Sequence, residues 1–128
     1  MRQQYHFHRT DCGVLIWNVH RLVELSKDLP VIEIPLSEIP ELDETFWFEH
    51  GAQSPTCRSV AEHARLMLET DLAHPIILGE DGRVMDGMHR VCRALIEGRE
   101  MIRAVRFERD PEPDYVDVAP EDLPYGDA

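Results

Sequence analysis

The apolar positions of this chain alternate between helical and strand spacing, and the changes of period mark its elements. Val14 to Trp17 is the longest apolar stretch, a strand or the start of a helix. From Trp17 to Ser26 the spacing is helical, with Val19, Leu22, Val23 and Ser26 on one stripe and Asn18 placed to cap it. Leu29-Pro30 ends that helix. Val31-Ile-Glu-Ile-Pro35 alternates as a short strand, and Leu36 to Ile39 reads as one loose helical turn. A second helix runs to about Thr70, capped by Thr56 or by Ser59, since Ser59-Val-Ala-Glu62 has capping-box form. Its predicted inner stripe is Val60, His63, Ala64, Met67 and Leu68.

Two short apolar strands follow, in His74-Pro-Ile-Ile-Leu78 and around Val84, joined by Glu80-Asp-Gly82; Asp-Gly is a strong hairpin signal. The third helix carries Val91, Ala94 and Leu95 on one face, with Gly98 where a C-cap belongs. Met101 to Phe107 predicts the last strand, with Ile102 and Ala104 set against Arg103 and Arg106. Residues Met1 to Asp11 are polar and predict no element. The loop from Glu41 to Pro55 is long, and its Phe46-Trp-Phe48 cluster reads as a lid on the core.

Between the hairpin and the third helix lies Asp86-Gly-Met-His-Arg90. Gly87 permits a sharp turn and a close approach to the main chain. A helix's first turn offers free N–H groups and the positive end of its dipole, and Arg90 adds a permanent charge. That combination suits an anion, phosphate above all. The same residues also serve as an ordinary cap and turn, so spacing alone leaves both readings open.

Charge sharpens the picture. The chain carries 25 acidic against 13 basic residues, a formal net charge of −12, which repels the nucleic-acid backbone. The six arginines from Arg83 to Arg106 exceed the acids in that stretch, whereas Glu108 to Ala128 reads as an acidic, proline-punctuated tail. Cys12, Cys57 and Cys92 are widely spaced and lack a Cys-x-x-Cys pair, which argues for reduced thiols over disulfides or a zinc site. His6-x-His8 shares a strand face but lacks further ligands nearby, so no metal site is expected. No apolar run approaches the ~18 residues that span a bilayer, and the start is unlike a signal peptide, so a cytoplasmic protein without membrane partners is expected.

Pro75-Ile-Ile-Leu78, Asp81-Gly82, Val84-Met-Asp-Gly-Met-His-Arg90, Ala94 and Gly98 together resemble the ParB/sulfiredoxin superfamily, over roughly Val31 to Phe107. The resemblance implies an α+β fold, a small mixed β-sheet flanked by helices, in one domain: a core of about residues 14–107 and the tail 108–128. In that superfamily a Gly-x-His-Arg or Gly-Glu-Arg-Arg turn holds nucleotide phosphates. It therefore assigns Gly87, Met88, His89 and Arg90 to a nucleoside di- or triphosphate, with or without Mg²⁺. Thr56 and His63 would border the nucleotide.

The branches differ at one position. Sulfiredoxins place a catalytic Cys where this chain has Met88, which cannot act as a thiolate. ParB partition proteins continue into a helix-turn-helix, where this chain ends. Free serine kinases carry Asp-Gly-His-His-Arg, the form nearest to Asp86–Arg90, and use a Glu from the preceding loop as catalytic base. Glu49 is the residue that matches, with Glu44 in competition. Neutral His89 would hydrogen-bond the transferring group, while Asp86 would orient a hydroxyl nucleophile or hold Mg²⁺. The expected activity is nucleotide binding with phosphoryl transfer to a small-molecule or protein acceptor, or nucleotide hydrolysis. The alternative is a non-catalytic ligand-sensing or protein-interaction module; DNA partition is disfavoured by charge.

Overall fold

A computed structural model describes residues 4–48 and 55–125, and it shows a small mixed α+β protein with two sheets and three helices. The strands are β1 (Tyr5–Thr10), β2 (Gly13–Asn18), β3 (Ile32–Pro35), β4 (Ile76–Leu78), β5 (Val84–Asp86), β6 (Met101–Arg106) and β7 (Tyr115–Val116). The helices are α1 (Val19–Ser26), α2 (Cys57–Glu69) and α3 (Met88–Ile96). Short 3₁₀ turns occupy Leu36–Glu38, Pro40–Asp43 and Pro120–Asp122.

The four-stranded sheet has the order β3-β6-β4-β5, with β4 parallel to β6 and the other pairs antiparallel. Both of its faces are covered, which is why Ile76, Ile77 and Leu78 are apolar without alternation and all buried. Ile76, Leu78, Val84, Ile102 and Ala104 meet Met88, Val91 and Ala94 of α3 on one face, with Leu36 and Ile39 closing the layer. On the other face Ile77, Met85, Val105 and Phe107 meet Trp17 and Leu22.

The predicted caps form as the residues dictate. Asn18 accepts from the Arg21 N–H at the head of α1. At the foot of α3, Gly98 has φ +75°, and Gly98 N–H and Arg99 N–H donate to Leu95 O and Ala94 O, a Schellman arrangement. Thr56, rather than Ser59, caps α2 by accepting from the Ser59 N–H.

Three expectations need correction. The stretch before Asp11 is not featureless: β1 pairs with β2, and β2 with β7, in a second, three-stranded sheet, order β1-β2-β7. Residues 110–125 are not a solvated tail. Trp17 Nε1 donates to Pro111 O, Asp114 accepts from the Asn18 N–H, β7 joins β2, and Leu123 is buried. The core boundaries of 14–107 are therefore too narrow at both ends, because composition cannot show that a polar segment is completed by a distant strand. The inner stripe predicted for α2 is mostly open: Val60 is 51% and Leu68 64% exposed, whereas Ser59 is buried. That helix lies against α3.

Two polar groups tie the sheets to their surroundings. Glu41, only 1% exposed, accepts the Val84 N–H on the free edge of β5 through Oε2, which blunts that edge. His6 lies beside Trp17, ring centroids 5.9 Å apart. Burial, assisted by His8 and Arg83 and opposed by Asp81, lowers the His6 pKa to about 4. The fold thus holds His6 neutral, and its stabilising contribution is complete above the ordinary value near 6.5 and is lost as pH falls toward 4. That shift corresponds to about 3 kcal/mol between pH 7 and pH 4. Urea unfolding of the wild type and His6→Gln at both pH values checks it. The wild type should show the steeper loss, and parallel losses would refute the assignment.

Candidate functional site

The strand β5 ends at Asp86, and the chain turns into α3 through Gly87 at φ +105°. A Cβ there would lie 2.7 Å from Ile76 Cγ2 and 2.9 Å from Arg90 Nη2, so the position requires glycine twice over. Gly87 is also the N-cap residue of α3 and brings no side chain to the helix terminus. The adjacent carboxylate does not substitute for one: Asp86 Oδ2 accepts from Arg90 Nη2 at 2.9 Å. Arg90 folds back over the turn and also reaches His74 O at 3.5 Å. Met88 points into the core and is buried, which leaves only its backbone for a ligand.

His89 projects from the first turn of α3 and meets His63 of α2. His63 Nδ1 and His89 Nε2 are 2.8 Å apart, one donating and the other accepting according to tautomer. The indole of Trp47 lies nearly parallel over this pair, with centroids 4.2 Å from His63 and 4.6 Å from His89. Burial first, then His63 and Arg90, lowers the His89 pKa to about 4; burial also lowers that of His63. Both imidazoles are thus held toward their neutral forms near pH 7, donors and acceptors rather than cations.

Of the residues singled out from sequence, Asp86, Gly87, His89, Arg90 and His63 come together here. Thr56 caps α2, and its side chain is engaged with the Ser59 N–H. Glu49 lies outside the described residues. Its competitor Glu44 is bound to Arg83 at 2.6 Å, which holds its carboxyl below the usual range. Trp47 belongs to the site although its sequence signal, an aromatic cluster in a long loop, pointed only to a lid. It serves as both, since Phe46 and Trp47 also pack on the core.

The arginine-rich stretch is less of a free positive field than its composition implies. Arg83, Arg90, Arg93 and Arg99 pair with acids, and Arg103 and Arg106 donate to the backbone at Ala73 and Glu80. Arg93 is a structural residue: it bonds Glu97 and donates to Leu68 O and Thr70 O, capping the end of α2.

The fold and site define a small mixed α+β protein with a helix N-terminus that no side chain caps among the described residues, beside a histidine pair. The chain matches no family model, no curated protein and no solved structure. No helix among the described residues is long and apolar enough to cross a membrane, and no group of three or more metal-ligating side chains occurs among them.

Proposed function

We propose that this protein binds a nucleotide through its phosphates at the head of α3. The supporting observation is the first turn of that helix. No side chain caps it among the described residues, and Arg90, His89 and His63 stand around it. A phosphate would take the N–H groups that a capping side chain normally satisfies, assisted by the helix dipole. Arg90 would transfer donors from Asp86 to the anion, a stronger bond in a partly enclosed site. Neutral His89 would add a hydrogen bond through the ring nitrogen that His63 does not engage.

The reading stops at binding. Asp86 is committed to Arg90, and Trp47 covers both imidazoles, so the arrangement favours holding a ligand over turning it over. The resemblance to free serine kinases supplies the nucleotide as ligand; the phosphoryl transfer that it also implies is not carried over. A panel of nucleoside di- and triphosphates, with and without Mg²⁺, tests the binding by thermal shift. A ligand at ~100 times its dissociation constant adds about 2.7 kcal/mol, on the order of 10 °C for a domain of this size. No shift with any nucleotide at millimolar concentration would refute the proposal.

A further inference from the structure

A groove of about 960 Å³ opens away from the α3 site, at the upper end of the ~300–1,000 Å³ usual for ligand clefts. Its lining identifies its geometry. All five consecutive residues Tyr5 to Arg9 of β1 border it. Side chains of a strand alternate between faces, so contact with all five shows that the groove reaches round the β1 edge, while Val14 and residues 117–120 carry it on over one face of the β1-β2-β7 sheet. Arg83 and Val84 border the other side, and β5 is the terminal strand of its own sheet, as β1 is of the other.

The hydrogen-bond register shows what the β1 edge offers. Val14 O and Ile16 O accept from Asp117 and Asp114, and the Asn18 N–H donates to Asp114, so these β2 residues face away from β1. Their partners Arg9, Phe7 and Tyr5 therefore direct their own N–H and C=O groups away from β2, toward the open edge. A row of such groups is a template for another extended chain.

One buried charge says what that chain carries. Glu41 borders the groove and is 1% exposed; Oε2 takes the Val84 N–H and lies 4.0 Å from Arg83 Nε, while Oε1 has no partner among the described residues. An unpaired buried carboxylate oxygen is costly and calls for a donor. Arg83 is already neutralised by Glu44, and Asp117 adds a further acid to the lining. Only Arg9 opposes, on a chain of net charge −12. We infer that the groove between β1 and β5 docks an extended segment of a partner protein by strand addition to β1, with a lysine or arginine of that segment reaching Glu41.

The proposal is independent of the nucleotide reading and is tested on the full chain by fluorescence anisotropy. The probes are a short labelled peptide alternating valine and lysine, its valine–glutamate counterpart, and a copy of the basic peptide N-methylated at alternate residues. At ~150 mM salt the basic peptide should bind and the acidic one should not. N-methylation and Glu41→Gln should each weaken binding at least ~10-fold, the loss of a charged hydrogen bond or of the backbone ladder. Glu33→Gln removes the same charge from exposed β3, at the far edge of the sheet, and should change affinity by no more than ~2-fold. If Glu41→Gln fails to fold, Phe7→Pro removes an edge donor without touching the β1–β2 ladder and should weaken binding equally. No binding up to ~1 mM would overturn the proposal. So would equal losses from Glu41→Gln and Glu33→Gln, or undiminished binding of the N-methylated copy, since either means general charge attraction. Self-association abolished by Phe7→Pro would assign the groove to a second copy and overturn it as well.

Discussion

Replacing Gly87 by alanine should destabilise the protein by about 2–4 kcal/mol, and Gly98→Ala should cost only about 1 kcal/mol. Both glycines have positive φ, +105° and +75°, so both substitutions carry backbone strain. They differ in what the new methyl meets. At Gly98 nothing lies within 4 Å, whereas at Gly87 the Cβ would sit 2.7 Å from Ile76 Cγ2, a side chain with no room to yield in the middle of the core. The same methyl would displace the Arg90 guanidinium, at 2.9 Å. Gly87→Ala should therefore lose ligand affinity as well as stability, and Gly98→Ala should keep it. Urea denaturation of the two variants reads the first effect. Equal losses would mean that the turn relaxes and that close packing at Gly87 is not what holds Arg90.

The second large effect separates two arginines one helical turn apart. Arg90→Ala should remove about 1.5–3 kcal/mol of nucleotide affinity, roughly 10- to 150-fold, the worth of a hydrogen bond to a charged group. Arg93→Ala should leave affinity almost unchanged but lower stability by about 1–2 kcal/mol. The reason is the partners: Arg93 holds Leu68 O at 2.9 Å and Thr70 O at 2.6 Å, so removing it leaves the end of α2 uncapped. Arg90 closes no helix end: its partners are Asp86, four residues away, and His74 O at a long 3.5 Å. Titration calorimetry and urea unfolding on the same samples give both numbers. Loss of affinity in Arg93→Ala equal to that in Arg90→Ala would show that bulk charge, not a formed cradle, attracts the ligand.

Local order was legible where a residue's role depends on its near neighbours. Asn18 caps α1, Gly98 closes α3, and Asp81-Gly82 joins β4 to β5, because caps and turns are set by residues a few positions apart. The turn Asp86–Arg90 was likewise visible as a candidate anion site. The pairing of His63 with His89, 26 positions apart in the chain, was not. Each sits on its own helix, and only the packing of α2 on α3 brings the rings together beneath Trp47.

The amino-acid sequence by itself determined the helices, the hairpin and the glycine turn that opens α3, all consequences of period and backbone freedom. Tertiary structure alone decided that two polar ends of the chain complete a second sheet, and that Arg93 is a strut. It also decided that Glu41, one acid among many in the sequence, lies buried on a strand edge. Burial and partnership across long separations arise from how layers stack, and no local pattern encodes which distant carbonyl or edge a charged side chain will meet.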